Sequence, residues 1–414
     1  MNRPSTIFVY ADWKGLGGPT LMGQLHRSVV RGEEVLSFEY ARAWLGQSQP
    51  FLLDPRLQFV EGRQYADGAS PFGLFLDSAP DRWGRLLIRR RIALESGGPL
   101  SVLFDSDYLL AVSDTCRMGA LRFRTERDGL FLAEDTELSV PPLKRLRELE
   151  QASWRFEASD DDDPEYAQWL RMLIAPGTSL GGARPKCSVV DLDGQLWIAK
   201  FPSRADEYDV GAWEGLVHQL AKDAGLRMGA ARVESFSKSG TTFLTQRFDR
   251  IHSERIHFAS AMNLLGYQDG DGAKTGASYL DLVDLIERYG AQVKEDLEEL
   301  WRRIVFNICV NNTDDHLRNH GFLLSDQGWT LSPAYDLNAQ LWAGGLALNI
   351  DEHQNACDLD LARSVGRHFR LSSDRQELII KEVSDAVKTW MKRGETLGLK
   401  RSEIERMRAA FLVE

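Results

Sequence analysis

The densest concentration of reactive side chains is the stretch NNTDDHLRNHGFLLSDQGWTLSPAYD, residues 311–336. Phosphoryl transfer needs an acid beside the attacking hydroxyl, oxygen ligands for magnesium, and cationic or amide donors around the phosphates. All of these residue types occur within these 26 residues. Asp314 is placed to orient a hydroxyl or accept its proton, and Asn319, five positions on, to offer its side-chain oxygen to a metal. Asp336, after a strand pair, would be a second metal ligand. The D-x-x-x-x-N spacing, with a further acid after a hairpin, follows the catalytic-loop logic of protein kinases. His316 and His320 also stand four apart, as zinc ligands on a helix would, but the glutamate of a zinc-protease motif is missing between them. His316 is therefore read as a loop-organising side chain bonded to backbone carbonyls. Turn building alone explains one or two such asparagines and aspartates and accounts poorly for the full set.

A second group lies upstream. Lys200 ends the apolar run QLWIAKF, where a lysine is seldom buried without an anionic partner; a snorkelling lysine at a sheet edge is the alternative. Glu214 falls 14 residues later on an expected helix, and a strand-to-helix Lys–Glu pair is a recurrent kinase device. An exposed helix glutamate is the alternative there. The segment PGTSLGGARPK, 176–186, fits neither the Walker pattern nor GxGxxG. Its adjacent glycines Gly181 and Gly182 still allow close backbone approach, and amides together with Lys186 can meet phosphate oxygens. An ordinary glycine-rich turn remains open.

These residues require elements to hold them. CSVVDL and QLWIAKF, joined at Asp193-Gly194, predict a tight hairpin, and a helix over about 206–224 followed by ARVESF and TTFLTQRF completes a small sheet with one helix. From Tyr279 the chain turns helical, with Val293, Leu297, Leu300, Ile304 and Ile308 forming one apolar stripe. Capping-box patterns at Ser373 with Gln376 and at Ser402 with Glu405 predict the starts of the last two helices. At the other end, IFVYADW, EVLSFEY and FLLDPRLQFV predict a mostly antiparallel sheet before about residue 75, followed by a helix over about 81–94. That helix carries Arg82, Arg85, Arg89, Arg90 and Arg91, a partner surface or simply a solvated basic face. The acidic run 160–163 with Pro164 reads as a linker and places the domain boundary near residue 160.

At 414 residues the chain exceeds the ~250–300 residues at which a single core stops growing. Hydrophobic residues at 43% and charged residues at 27% are ordinary globular usage. Fifty basic against 61 acidic residues give −11, which opposes direct nucleic-acid binding. Cys116, Cys187, Cys309 and Cys357 show no CxxC spacing and are read as buried thiols. The N-terminal apolar run is too short for a signal peptide, and nowhere do ~18 apolar residues follow one another, so no membrane association and a cytoplasmic location are expected.

NTDDHLRNHGF followed by SPAYDL, with SLGGARPK, WIAKFP and QRFDR upstream in that order, resembles the HipA family of serine/threonine kinase toxins over roughly residues 170–340. PFGLFLDSAPDRWGR, 71–85, is similar to the family's N-terminal domain. The resemblance implies an α+β, two-lobed protein-kinase-like fold. Its parts would be an N-terminal β-rich then helical subdomain over 1–160, an ATP-binding lobe over about 170–255, and a helical lobe over about 256–414. It implies ATP and Mg2+ as cofactors, Asp314 as the catalytic aspartate, Asn319 and Asp336 as metal ligands, and Lys200 as the ATP-phosphate lysine. Ser179, Gly181, Gly182, Ala183, Lys186 and His316 would line the nucleotide. Ser179 matches the serine such kinases autophosphorylate to switch themselves off; a turn-capping serine is the alternative. Gln246 and Phe248 fall where a hinge would receive adenine. The family commonly has glutamate where this chain has Gln246, and Phe248 reads equally as a core aromatic. The partners implied are a protein substrate, for example in the translation machinery such as an aminoacyl-tRNA synthetase, and a small DNA-binding HipB-like antitoxin through which alone DNA is reached. A catalytically idle scaffold that binds an antitoxin, and a small-molecule kinase with the same core, stay open.

Overall fold

A computed structural model describes residues 4–46, 51–66, 71–96, 102–132, 140–158, 165–174, 182, 184–341 and 344–413. Two compact units divide the chain, one of Met1–Arg204 with Asp249–Ala259 and one of Ala205–Phe248 with Ser260–Glu414. The boundary expected near residue 160 falls on residues outside those described.

In the first unit β1 (Thr6–Ala11), β2 (Thr20–Val30), β3 (Glu33–Tyr40), β4 (Gln64–Tyr65) and β5 (Leu121–Arg124) form an antiparallel sheet in the order β4-β3-β2-β1-β5. The β2–β3 turn is Arg31-Gly32, both at positive φ (54° and 87°), the pairing that matches strand twist in a two-residue hairpin. Ile7, Val9, Leu25 and Phe38 are fully buried beneath it. The run FLLDPRLQFV, expected as a strand, is none. Asp54 captures the amides of Arg56 and Leu74 with its carboxylate, and Pro55 has no N–H to give a ladder, so the segment turns.

The helix Arg82–Ser96 starts on Asp81, which accepts from the Gly84 amide at 2.8 Å, and buries Trp83 and Leu87 against Phe156, Tyr166 and Leu170 of the helices Leu146–Ala158 and Tyr166–Ile174. Of its arginines, Arg82 and Arg89 are exposed and Arg85 donates to Asp105 at 2.7 Å. The hairpin of β6 (Lys186–Val190) and β7 (Leu196–Lys200) pairs Lys186 with Lys200. Its turn is wider than a two-residue one. Asp191 organises it, accepting from the amides of Asp193 and Gln195 and from Trp197 Nε1. Arg117 is an interior cation that donates to the carbonyls of Ser78, Leu109 and Val112, and burial pulls its pKa down to about 10. Asp249 and Arg250 hold the same strand lead-in, Asp249 accepting from the Gly119 amide and Arg250 donating to the carbonyls of Gly119 and Arg117. A two-rung hairpin of β10 (Arg250–Ile251) and β11 (Glu254–Arg255) and the strand β12 (Phe258–Ser260) follow.

In the second unit the helix Val210–Asp223 is capped by Asp209 and followed by the antiparallel pair β8 (Ala231–Ser237) and β9 (Gly240–Gln246). Asp209 also accepts from the amide and hydroxyl of Thr241 on β9. Gly211 is required at that junction, because a Cβ there would lie 1.9 Å from the Thr241 carbonyl oxygen. The helices Tyr279–Tyr289 and Val293–Cys309 come next, then the hairpin of β13 (Gly321–Ser325) and β14 (Gly328–Leu331). Leu297, Leu300, Ile304 and Ile308 of the expected stripe are all buried. Of the helices near the C-terminus, Ser373–Val387 is capped by Ser372, whose hydroxyl accepts from the Arg375 amide; in a Ser-Ser pair the outer residue keeps the extended backbone a cap needs. Arg401–Met407 begins after Lys400 with no side-chain cap, so Ser402 lies inside the helix. No helix among the described residues is long and apolar enough to cross a membrane. Cys116, Cys187 and Cys309 are buried free thiols, and Cys357 is half-buried.

Candidate active site

The helix Val293–Cys309 ends in Val310 and Asn311, the latter at φ 50°, and the chain there turns into the loop that carries Asp314. Asp314 is exposed; its carbonyl accepts from the His316 amide at 3.0 Å and from Asn319 Nδ2 at 2.9 Å, which folds the loop back on itself. Asn319 closes the single 3-10 turn Leu317–Asn319. His316 and His320 flank this turn and do not share a helix face, as a zinc pair would. Among the described residues no three His, Cys, Asp or Glu side chains form a metal-binding group.

Asp336 is delivered from the other side. From the last residue of β14 onward the chain is pinned by Asp296, which accepts from the Leu331 amide at 2.9 Å, by Arg303, which donates to the Ser332 carbonyl, and by the Arg227 carbonyl, which accepts from the Ala334 amide at 2.7 Å. Tyr335 donates its hydroxyl to the Arg318 carbonyl at 2.7 Å, and Asn311 and Gln340 bond through the Gln340 amide and through Asn311 Nδ2. The segment bearing Asp336 is thus tied to the loop bearing Asp314 and Asn319 on both flanks. Asp336 itself sits at φ 56°, a left-handed conformation that costs most residues about 1–2 kcal/mol and that aspartate tolerates better. Such strain is held only by over-determined surroundings, which these bonds supply.

Partial desolvation raises the pKa of Asp314, and the carboxylates of Asp336 and Asp315 raise it further against the opposing influence of His316. An acid with a raised pKa is a better proton acceptor. The donor set suits a hard divalent cation. Asn319 spends its amide N–H on the Asp314 carbonyl and keeps its oxygen for another partner, and Asp336 adds a carboxylate whose charge already strains Asp314.

Asp315, the neighbour of Asp314, is the buried hub of the loop. It accepts from the Tyr279 hydroxyl and from Asn307 Nδ2, and His320 Nε2 lies 3.1 Å from its other oxygen. Burial opposes its ionisation, but the charge and hydrogen bond of His320, the Tyr279 hydroxyl and the charge of His316 together hold its pKa below the ordinary 3.8. Burial and the adjacent carboxylate push the Tyr279 hydroxyl up. Because the folded-state pKa of Asp315 is depressed, its stabilisation is fully present above the unfolded value and is lost as pH falls through the folded one. Asp315→Asn is therefore expected to cost about 3–5 kcal/mol at neutral pH. That cost should shrink below about pH 4, as chemical denaturation from pH 7 to 3 would show. A cost independent of pH would contradict this assignment.

The remaining candidates are placed as follows. Lys200 is half-buried at the end of β7 in the first unit, and Glu214 is buried on the helix Val210–Asp223 in the second. Gln246 ends β9 with its amide donated to the Ala230 carbonyl at 2.8 Å, so only its carbonyl is left for recognition by backbone. Phe248 is half-buried and packs on Tyr335, with ring centroids 5.5 Å apart. Gly182 adopts φ 55° with open space where a side chain would project. Ser179, Gly181 and Ala183 lie outside the described residues. Lys186 is placed differently from a phosphate-facing side chain. It is buried, with its ammonium 2.8 Å from Asp81 and 3.3 Å from the Gly182 carbonyl. The roles of Asp315, Asp81, Asp249 and Arg250 were missed by sequence reasoning. All four lie in stretches of the family resemblance, Asp315 in NTDDHLRNHGF, Asp81 in SAPDRWGR and the last two in QRFDR, but nothing local showed their partners.

A fold of α and β parts with this loop pair is that of a kinase-like protein of the HipA type. Residues 178–391, just over half the chain, match the family described as HipA-like C-terminal domain, and the chain belongs to that family. HipA of Shewanella oneidensis MR-1, solved in a toxin–antitoxin complex with HipB and its operator DNA, is similar with a TM-score of 0.65 at 17% identity, over 97% of this chain and 94% of that one. The Sinorhizobium fredii protein "Putative kinase Y4mE" is 31% identical over 182 residues, 38% of this chain. The match spans 41% of that relative's length.

Proposed function

We propose that the protein transfers the γ-phosphate of ATP to serine or threonine hydroxyls of another protein, as the kinase of a HipA-type toxin–antitoxin module in the cytoplasm. The observation that carries this is the tying of the Asp336 segment to the loop of Asp314 and Asn319 by Tyr335 and Asn311. Asp314 orients the acceptor hydroxyl and takes its proton, while Asn319 and Asp336 would hold magnesium. Magnesium, when bound, supplies charge neutralisation at the phosphate oxygens. Lys200 adds a cation for the ATP phosphates. The Shewanella HipA was solved with HipB and DNA. A HipB-like antitoxin is the matching partner here, and a chain of net charge −11 would reach DNA only through such a partner.

Incubation with ATP and magnesium is expected to place phosphate on Ser179. The modified chain should bind ATP poorly, because the phosphate adds roughly −1.5 to −2 charge where ATP phosphates belong. Peptide mass mapping and calorimetric titration with MgATP check both parts. A chain phosphorylated at Ser179 that keeps full ATP affinity would remove the switch, and unchanged ATP affinity in Lys200→Ala would remove the lysine from the nucleotide site.

A further inference from the structure

We propose that Asp315 is a positioning residue for phosphoryl transfer, its buried carboxylate gathering three elements of the fold so that the adjoining Asp314 is held in one place. The inference rests on the kinase reading of the site. Tyr279 opens the helix Tyr279–Tyr289, Asn307 belongs to the last turn of Val293–Cys309, and His320 leads into β13. Asp315, Tyr279, Asn307 and His320 are all buried to within a few per cent of full enclosure, so no water competes for the carboxylate. Asn307 is itself held, its Oδ1 accepting from Asn312 Nδ2 at 3.1 Å and its carbonyl accepting from the Asn312 amide at 2.8 Å. The loop is therefore anchored before and after Asp314, by Asn312 and by Asp315, and of the two side chains between them Thr313 is half-buried and Asp314 exposed. His320 also fixes the exit, its carbonyl accepting from the Ala261 amide at 2.8 Å.

The carboxylate is needed and not merely a polar group. Its Oδ2 accepts from Tyr279 Oη and Asn307 Nδ2, and its Oδ1 lies 3.1 Å from His320 Nε2. An asparagine offers one accepting oxygen and one donating NH2, so it would either turn a donor toward Tyr279 and Asn307 or give up the carboxylate facing His320. Buried networks of this kind lose more than a single bond when half satisfied. Displacement of Asp314 by even about 1 Å would slow the chemical step by as much as roughly 10²-fold without touching the nucleotide.

The test compares full-length wild type, Asp315→Asn, Tyr279→Phe and the double variant. The measurements are ATP affinity, kcat for phosphoryl transfer and amide hydrogen exchange across 311–319. Asp315→Asn is expected to keep wild-type ATP affinity, to lose about tenfold or more in kcat, and to exchange faster at the amides of Asn312, His316 and Asn319. Tyr279→Phe, which removes one donor only, should show a smaller loss of the same kind and keeps the test open if Asp315→Asn does not fold. The double variant should be no worse than Asp315→Asn, because the two residues act as one unit. Wild-type kcat and exchange in both single variants would overturn the inference, as would a loss of activity that only follows the folded fraction. If the wild type transfers no phosphate while the exchange pattern changes as expected, the kinase reading fails and Asp315 stands as the anchor of the loop.

Discussion

Asp314→Asn is expected to yield a folded protein that binds MgATP and has lost at least about 10²-fold in phosphoryl transfer. The substitution keeps size and shape and removes a carboxylate that is exposed on a loop closed by backbone bonds, so the loop has no reason to move. What is removed is the group that would orient the acceptor hydroxyl and take its proton, in a site that works by positioning and charge. Asp336→Asn should give a loss of similar size by another route, with weaker magnesium dependence of nucleotide binding. Wild-type turnover in either variant would remove that residue from the chemistry. The raised pKa of Asp314 sets a sign for pH. The acceptor is the ionised form, so activity should fall as pH drops through a value above the 3.8 of an ordinary aspartate, and Asp314→Asn should lack that limb.

Lys186→Met is expected to destabilise the protein by about 3–5 kcal/mol, because it removes the buried ammonium that faces the Asp81 carboxylate. The two side chains are each at most 3% exposed and 2.8 Å apart, and Trp83 Nε1 donates to the Lys186 carbonyl at 3.0 Å. Asp81→Asn/Lys186→Met should recover much of the loss, since an uncharged pair removes the buried charge while the residue-81 oxygen still caps the helix at Gly84. Chemical denaturation of both single variants and the double one measures the coupling. A Lys186→Met protein of unchanged stability with weakened ATP binding would contradict the structural placement and restore the phosphate-facing reading. The same ion pair joins two stretches of the family resemblance, SAPDRWGR around Asp81 and ARPK at Lys186.

The local parts of the site were legible in the sequence because their spacing is local. Asp314 and Asn319 close one loop, and Asp336 follows a hairpin visible as two apolar runs. The spacing to Asn319 singled out Asp314, but the role of its neighbour was not legible: Asp315 is buried because Tyr279, Asn307 and His320 meet it from three different elements. The ion pair of Lys186 was hidden for a like reason, its partner Asp81 lying 105 residues away. The β-like run 51–60 failed where Asp54 and Pro55 favour a turn, and the cap at Ser373 was one residue late because Ser372 serves equally.

Transfer of label from γ-labelled ATP, with magnesium, to the proteins of a cell extract is the most direct test that this chain is a protein kinase. The purified wild type should place acid-stable phosphate on serine or threonine of another protein, and Asp314→Asn should not. No label, label confined to a small molecule, or equal labelling by both proteins would contradict it.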